Sequence, residues 1–307
     1  MKKIILLVPY FGSLPNYFEY WLKSVEKNPT IDFHLFVDKP FSHNVPPNVK
    51  VTICEFLELK QRFVDLFDFP ISLEQPYKIC DFRPAFGLAF ENEVDGYDYW
   101  GHCDLDMVFG DIRGYLDRHL TNQIRFQTRG HFTLYENSSR ANNLFRLESL
   151  STSVDYVEAF SNKKGFSFDE WGGISAILES HDIKQFSKIL YADIDISKYN
   201  FHIHYKKNYS KQIFLFEEGK LFRLYFEDGE VHKDEFMYIH LQKRHMYVYR
   251  SPDDRFYIFP SELINSSCFL NDKAAINCRL NKSMALKFYI SFLKFKLKRI
   301  KLKLFSN

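Results

Sequence analysis

Two aspartates one residue apart, Asp104 and Asp106, are the residues whose types and spacing most directly suggest chemistry. They end an aromatic run that begins at Tyr97, and Gly110 supplies a turn just after them. In an extended backbone both carboxylates would point the same way while Leu105 points into the core. Because like charges on one patch attract a cation, and oxygen ligands suit Mg²⁺ or Mn²⁺, the spacing predicts a divalent-metal site at the carboxyl end of a strand. The same spacing also occurs in plain solvated turns.

A dense mix of charged and aromatic residues lies just upstream of this pair, in residues 76–87. Its Lys78, Asp81 and Arg83 could contact the phosphates, ribose and base of a nucleotide. They could equally be the solvated start of a helix. The residues alone leave both interpretations open.

Two further carboxylates, Asp169 and Glu170, precede Trp171 and two glycines at the predicted start of a helix. Acidic residues in this position commonly cap the helix and interact with its dipole. The alternative is that one of them binds a sugar or acts as a base.

A late strand is predicted over residues 236–245, where side chains alternate with a period of two. Its His240 is followed closely by Lys243 and Arg244. An isolated histidine in a strand is usually structural. Beside basic residues, however, it could bind a metal and flank a diphosphate held by that metal.

The elements that must position these residues follow an α/β pattern. Residues 2–8 predict a strand, residues 17–25 a helix, and residues 31–37 and 49–53 two more strands. This alternation predicts a mostly parallel sheet flanked by helices. Residues 213–230, with two glycine-containing turns, predict a small antiparallel insertion. The first loop lacks the Gly-x-Gly-x-x-Gly fingerprint, which argues against a classical dinucleotide site.

Composition narrows the protein class. The chain has 307 residues, 46% of them hydrophobic, which is enough for a substantial core. Its five cysteines include no Cys-x-x-Cys pair, so they indicate neither a zinc ribbon nor a disulfide framework. The apolar run Ile4–Val8 is too short for the apolar region of a signal peptide. We therefore expect a cytoplasmic protein.

The carboxyl-terminal segment differs in charge from the remainder. Residues 285–307 hold seven of the 41 basic residues and no acidic residue, which leaves a net charge of −5 on the rest of the chain. The segment predicts an amphipathic helix lying on an anionic membrane surface. The alternatives are a terminal helix packed on the body, or a strand, because residues 293–298 alternate. We expect a catalytic domain over residues 1–260 and a carboxyl-terminal extension over residues 261–307.

Taken together and in order, several segments resemble a family of bacterial capsule or cell-surface polysaccharide glycosyltransferases of the GT-A type, some of unknown function. The resemblance covers roughly residues 1–250 and implies a Rossmann-like GT-A fold. The segments that carry it are Lys-Ile-Cys-Asp-Phe-Arg-Pro-Ala-Phe-Gly at 78–87, Asp-x-Asp at 104–106, Gly-His-Phe-Thr-Leu-Tyr-Glu-Asn at 130–137, Asp-Glu-Trp-Gly-Gly at 169–173 and His-Leu-Gln-Lys-Arg at 240–244.

The resemblance also implies roles for the candidate residues. Asp104, Asp106 and His240 would hold Mn²⁺ or Mg²⁺ on the diphosphate of a nucleotide-sugar, with Asp104 and Lys243 near the donor. The nucleotide would lie beside three residues of the upstream segment, Lys78, Asp81 and Arg83.

The reaction implied is transfer of a hexose from a nucleotide-sugar, a UDP-sugar as first choice, to a growing, lipid-linked surface polysaccharide. Asp169 or Glu170 would supply the base that an inverting transfer needs, whereas a retaining transfer can proceed without one. The enzyme would lie on the inner face of the cell membrane and would have no nucleic-acid partner.

Two other functions compete with this interpretation. The first is a Mg²⁺-dependent phosphatase of the haloacid dehalogenase type, whose Asp-x-Asp supplies a nucleophile and an acid. That motif resembles this one only partly, because here it lies about a hundred residues into the chain and is followed by Met107 and Val108. The second is a catalytically silent carbohydrate-binding or scaffold protein, since a fold does not dictate a function.

Overall fold

The structure is a computed structural model that describes residues 1–148, 154–278 and 285–294. The chain divides into two compact units. The first unit comprises Met1–Pro15, Asn28–Leu105 and Arg113–Ile189, and the second comprises Asn16–Lys27, Asp106–Ile112 and Leu190–Asn307. The boundary after Leu105 therefore falls inside the Asp-x-Asp segment.

The strands are numbered in chain order: β1 (Ile4–Tyr10), β2 (Asp32–Val37), β3 (Val49–Ile53), β4 (Tyr99–Cys103), β5 (Met107–Phe109), β6 (Arg125–Arg129), β7 (Phe132–Glu136), β8 (Gln185–Phe186), β9 (Tyr191–Ile194), β10 (Phe201–His202), β11 (Gln212–Glu217), β12 (Lys220–Glu227), β13 (Glu230–Phe236), β14 (Tyr238–His240), β15 (Tyr247–Val248), β16 (Arg255–Phe259) and β17 (Glu262–Asn265).

The α-helices are α1 (Phe18–Glu26), α2 (Phe56–Val64), α3 (Ile79–Phe82), α4 (Phe86–Ala89), α5 (Glu91–Val94), α6 (Ile112–His119), α7 (Ser139–Asn142), α8 (Tyr156–Ser161), α9 (Ala176–Ser180) and α10 (Asp272–Cys278). Residues 285–294 are also helical, and we call them the terminal helix. A π-helical turn, Trp171–Ser175, leads directly into α9.

The first unit contains a seven-stranded sheet in the order β3-β2-β1-β4-β7-β6-β8. The first four of these strands are parallel, and β7 runs antiparallel to both β4 and β6. Strand β1 is buried from Ile4 to Val8, which explains its continuous apolar sequence. Strand β8 pairs with β6 in parallel, so β7 makes the two antiparallel pairings of this sheet. The fold is therefore of the expected mixed α/β class.

The early elements match the sequence prediction closely. Strand β3 has the predicted bounds, β2 begins one residue later than predicted, and α1 extends from 18 to 26. The apolar positions expected to face the core of α1 are buried: Phe18, Trp21, Leu22 and Val25. Helical periodicity identified α1 by its buried face, whereas β2 was identified as a short apolar run that is buried on both faces.

The second unit contains a four-stranded sheet in the order β10-β9-β14-β5 and a six-stranded sheet in the order β13-β12-β11-β16-β17-β15. The hairpins β11–β12 and β12–β13 turn through Glu218–Gly219 and Asp228–Gly229, all with positive φ, as two-residue hairpin turns require. The antiparallel prediction is confirmed for residues 213–230. The expected small insertion is wrong, because three further strands extend the same sheet to Asn265.

The strand predicted over residues 236–245 is wrong in its second half. Strand β14 ends at His240, and Gln242 and Lys243 both adopt left-handed backbone conformations, with φ of 55° and 52°. Such residues are strained by about 1–2 kcal/mol each, a cost that surrounding contacts must offset. The turn redirects the chain directly after His240.

The terminal helix bears out the helical prediction for residues 285–294, and the basic residues beyond Lys294 lie outside the described residues. Strands β16 and β17, on either side of residue 260, pair with each other. The boundary expected after residue 260 stays a prediction. Among the described residues, no helix has both the length and the apolar character needed to cross a membrane.

Candidate functional site

The segment that carries the two aspartates joins β4 to β5 and bends, so the extended backbone expected there is wrong. Asp104 follows the last residue of β4, and its N–H donates to the His131 carbonyl at 3.0 Å. Leu105 is buried, as the alternation predicted. Because the chain bends, the two carboxylates have different surroundings, and Asp106 is the more deeply buried.

In the first unit, the Arg83 guanidinium joins two carboxylates. It donates to Asp104 and, at 3.0 Å, to Asp169 Oδ2, and it also donates to the Gly130 carbonyl. Burial alone would lower the pKa of Arg83, but the carboxylates of Asp104 and Asp169 raise it well above its usual value. Arg83 is therefore a fixed positive charge that holds both acids in place.

Asp169 is the carboxylate best suited to exchange a proton near neutral pH. It is only 2% exposed, and burial raises its pKa to about 6, with Arg83 opposing the shift and Glu170 adding to it. A base works best when its pKa lies near the operating pH. Buried, perturbed carboxylates of this kind are frequent at functional sites.

The Lys78–Asp81 pair anchors the segment that carries Asp169. Lys78 Nζ donates to Asp81 at 2.7 Å and to the carbonyls of Ala159 and Lys164 at 2.7 and 2.6 Å. Asp81 in turn accepts the N–H groups of Phe166 and Phe168. These contacts use three donors of the buried ammonium, so the structure gives the pair a positioning role; contact with a nucleotide stays a prediction.

Glu170 makes no capping hydrogen bond from its side chain, so the capping alternative is wrong for it. Its carboxylate accepts the Gly130 N–H at 3.0 Å instead. The next residue, Trp171, opens the π-helical turn and is 60% exposed, with the Arg129 guanidinium 4.1 Å from the ring centre. Such turns are frequent at functional sites.

We expect Gly130→Ala to reduce the rate of a reaction that uses Asp169 by about a hundredfold, because displacing reactive groups by an ångström has effects of this size. A Cβ atom at residue 130 would lie 2.6 Å from Asp169 Oδ2 and 2.8 Å from Glu170 Oε1. The control is Gly172→Ala, where a Cβ atom meets nothing within 4 Å. Steady-state rates of both variants check the prediction, and equal losses would contradict it.

In the second unit, strand β14 lies between β9 and β5 and places His240 opposite Asp193. The His240 ring is 3.0 Å from Asp193 Oδ1 through Nδ1 and 3.3 Å from Asp106 Oδ2 through Nε2. The Lys243 N–H donates to the same Asp106 oxygen at 2.5 Å. Burial raises the pKa of Asp106, but His240 and Lys243 outweigh this effect and lower it, so the carboxylate is ionised.

Asp193 is the residue of this cluster that sequence reasoning missed. It also accepts hydrogen bonds from Gln242 at 2.8 Å and contacts His204 Nε2 at 2.7 Å. The available signal was the sequence Tyr-Ala-Asp-Ile, which places a carboxylate in a short apolar strand. A buried acid in such a strand requires a partner.

The donor set formed by Asp106 and His240 fits a divalent ion. Two ligands about 2.1 Å from an octahedral ion and at right angles to each other lie about 3.0 Å apart. The separation of 3.3 Å between Asp106 Oδ2 and His240 Nε2 is close to this value. Carboxylate oxygens suit Mg²⁺ and Mn²⁺, and an imidazole nitrogen suits transition-metal ions. Binding of the ion by Asp104, in the first unit, stays a prediction.

Comparisons with known proteins give a family but no function. No curated protein matches the chain. One solved structure that it resembles is the apo-form glycosyltransferase GlyE of Streptococcus pneumoniae TIGR4, with a TM-score of 0.33 and 12% identity over 61% of this chain. The match covers 44% of the GlyE chain, less than half its length. The model of the Family of unknown function (DUF6625) matches residues 6–267, and the chain therefore belongs to that family.

Proposed function

We propose that the protein is a metal-dependent hexosyltransferase with a GT-A-like fold. It would move a hexose from a nucleotide-sugar, a UDP-sugar as first choice, to a growing, lipid-linked surface polysaccharide such as a capsule. The observation that carries the proposal is the buried Asp106–His240 pair at the second aspartate of the motif, whose two ligand atoms are 3.3 Å apart.

The pair favours a cation between its members. A carboxylate only accepts hydrogen bonds, so the His240 Nδ1 atom must donate to Asp193. In the neutral ring, Nε2 is then an acceptor facing a second acceptor, Asp106 Oδ2. Two acceptors at this distance repel each other unless a proton or a metal ion lies between them.

In the proposed site, Asp106 and His240 hold Mn²⁺ or Mg²⁺, and the Lys243 N–H fixes the orientation of Asp106. When bound, the ion would neutralise the charge that accumulates on the departing nucleoside diphosphate. The Lys243 side chain would contact the donor, as the family resemblance implies.

Asp169 would act as the base of an inverting transfer by taking the proton of the acceptor hydroxyl on its carboxylate. Its raised pKa and its fixed contact with Arg83 support this role. Glu170, the second catalytic candidate, holds the Gly130 N–H and would shape the same site.

We expect Lys243→Ala to separate the roles of backbone and side chain. Alanine keeps the N–H that contacts Asp106, so Mn²⁺ affinity should stay within about twofold. Loss of a charge beside a diphosphate should weaken nucleoside-diphosphate binding by about tenfold or more, as hydrogen bonds to charged groups contribute about 1.5–3 kcal/mol. Calorimetry with Mn²⁺ and then UDP measures both, and unchanged UDP affinity would contradict the side-chain role.

The terminal helix would attach the enzyme to the inner face of an anionic membrane. One face is half-buried, with Phe288 under the Arg244 guanidinium, so the packed alternative holds for that face. The other face exposes apolar side chains beside two lysines: Leu286, Tyr289, Ile290, Leu293, Lys287 and Lys294. Apolar residues mixed with lysines suit the membrane interface, where each basic residue contributes about 1 kcal/mol.

We expect deletion of residues 285–307 to preserve hydrolysis of the donor sugar but to abolish co-sedimentation with anionic liposomes. Added salt should weaken binding of the full-length protein, because surface charges are screened. Neutral liposomes are the matched control. Equal co-sedimentation of the truncated and full-length proteins would contradict the membrane proposal.

The experiment that tests the function is a donor screen on the full chain. Thermal shift with nucleotide-sugars plus Mn²⁺ should show a preferred donor, since a ligand at 100 times its Kd adds about 2.7 kcal/mol of stability. Mn²⁺-dependent hydrolysis of that donor should follow. Hydrolysis of p-nitrophenyl phosphate instead would indicate a phosphatase. No shift with any nucleotide-sugar would indicate a silent carbohydrate-binding or scaffold protein.

A further inference from the structure

Four side chains of the second unit alternate between imidazole and carboxylate: His204, Asp193, His240 and Asp106. The first contact joins His204 Nε2 to Asp193 Oδ2 at 2.7 Å. The second joins Asp193 Oδ1 to His240 Nδ1 at 3.0 Å, and the third joins His240 Nε2 to Asp106 Oδ2 at 3.3 Å. Each imidazole nitrogen of His240 therefore faces a different carboxylate.

The strand register fixes the central contact. Strands β9 and β14 are parallel neighbours, and Asp193 and His240 are partners in that register. Both residues are buried. Gln242 Nε2 donates to the same Asp193 oxygen at 2.8 Å, and His204 contacts the other. The Asp193 carboxylate is thus held on both oxygens and cannot rotate freely.

We infer that Asp193 is a positioning residue that sets the His240 tautomer and ring orientation for the metal, an inference that rests on the proposed function. Because the carboxylate accepts the Nδ1–H of His240, the lone pair of the neutral ring lies on Nε2, the atom beside Asp106. A histidine ligand to a metal characteristically donates its other ring N–H to a carboxylate in this way.

His204 and Gln242 orient the Asp193 carboxylate and are not proposed as ligands of the metal. His204 contacts Asp193 Oδ2 and is partly exposed, and Gln242 reaches Asp193 through the left-handed turn that follows Leu241. This strained turn also brings the Lys243 N–H to Asp106. This one turn therefore orients both carboxylates that contact His240: Asp193 through Gln242, and Asp106 through the Lys243 N–H.

The first test needs no metal. In nitrogen-15 spectra of the metal-free full-length protein at alkaline pH, His240 should carry its proton on Nδ1. Asp193→Ala should shift the population towards the Nε2–H tautomer, the form favoured by free imidazole side chains. Asp193→Asn keeps an oxygen acceptor and should restore the Nδ1–H form.

The second test measures Mn²⁺ affinity by calorimetry. Asp193→Ala should weaken Mn²⁺ binding by about 10- to 100-fold, the usual effect of removing the partner of a metal-binding histidine. In a His240→Ala background the same substitution should have no further effect, because Asp193 acts through His240. The matched control is Asp195→Ala. Asp195 follows β9 and accepts the N–H groups of Ser197 and Lys198, so this substitution should leave Mn²⁺ affinity unchanged.

The outcomes separate this inference from the proposed function. If the wild-type protein binds no Mn²⁺, the proposed function fails, and the tautomer measurement still decides the role of Asp193. If Asp193→Ala fails to fold, Asp193→Asn and His204→Ala carry the Mn²⁺ measurement, with a smaller expected loss of affinity, and a wild-type His240 ring that carries its proton on Nε2 at alkaline pH overturns the inference. An unchanged His240 tautomer in folded Asp193→Ala protein, or an equal loss of Mn²⁺ affinity in the His240→Ala background, overturns the inference.

Discussion

Asp106→Asn is expected to reduce sugar transfer by about a thousandfold or more, since a catalytic metal contributes several kcal/mol of charge stabilisation in the transition state. Asp106 is the buried carboxylate that faces His240 and accepts the Lys243 N–H. Asparagine keeps the volume and one oxygen acceptor but lacks the negative charge that a divalent ion requires. Mn²⁺ affinity should therefore fall together with activity.

The asparagine substitution separates chemistry from folding. Alanine would leave the partly buried Lys243 N–H without its acceptor, whereas a fully buried donor left unsatisfied costs about 1–3 kcal/mol. Asparagine avoids most of this cost, so the circular dichroism spectrum should match that of the wild type. The control is Asp117→Asn, because Asp117 is an exposed residue on α6. Its transfer rate and Mn²⁺ affinity should equal those of the wild type. Normal, EDTA-sensitive transfer by Asp106→Asn would exclude Asp106 as a metal ligand.

Asp169→Asn is expected to reduce transfer by about a hundredfold to ten-thousandfold, the range for loss of a general base. The reason is that the amide cannot take the proton of the acceptor hydroxyl. In the wild type, the rate should rise with pH through about 6, where the Asp169 carboxyl ionises. The variant should lack this rise. A pH–rate profile of both proteins measures the effect.

The same substitution should stabilise the protein above pH 6. Burial raises the pKa of Asp169 from its ordinary value of 3.8 to about 6 in the folded protein. The folded state therefore holds the proton more tightly than the unfolded state, and wild-type stability falls as the pH rises from about 4 through 6. A shift of this size corresponds to about 3 kcal/mol.

Urea unfolding at pH 4 and pH 8 checks the stability effect. Asp169→Asn should be more stable than the wild type at pH 8, and the advantage should disappear at pH 4. A gain of stability with a loss of activity is the expected trade-off at a strained site. Equal stability of the variant and the wild type at both pH values, together with a normal transfer rate of the variant, would show that Asp169 is neither strained nor catalytic.

The sequence predicted local features well, for identifiable reasons. Helix α1 buries a face whose periodicity is visible in the sequence, strands β1 and β2 are short apolar runs buried on both faces, and the Asp228–Gly229 turn has the chemistry of a hairpin. A strand was also correctly predicted in the aromatic run before the motif, where β4 lies, but its predicted continuation through Asp104 and Asp106 is wrong.

Side-chain partners across long separations were not visible. The Lys78–Asp81 pair is charged and near a candidate motif, but its contacts with residues 159–168 depend on how distant segments pack. Asp193 lies 47 residues before His240, and their contact depends on the register of two short parallel strands. Register is set by packing and by connections outside the strands, so the local sequence does not reveal it.

The bend at the Asp-x-Asp segment was missed for a similar reason. Alternation of side chains predicts a continuous strand there, and Leu105 is buried as alternation requires. Yet the Asp106 carbonyl accepts the Leu241 N–H at 2.7 Å, a partner from a segment far along the chain. This pairing belongs to the second unit and ends the continuation of β4.

The most direct test of a metal-dependent donor site at Asp106 and His240 is calorimetric titration of a UDP-sugar into the full chain, with and without Mn²⁺, for the wild type and His240→Ala. We expect the wild type to bind the UDP-sugar only when Mn²⁺ is present, and His240→Ala to weaken binding of the ion and of the UDP-sugar together. Equal UDP-sugar affinity in EDTA, or unchanged binding of both ligands in His240→Ala, would contradict this expectation.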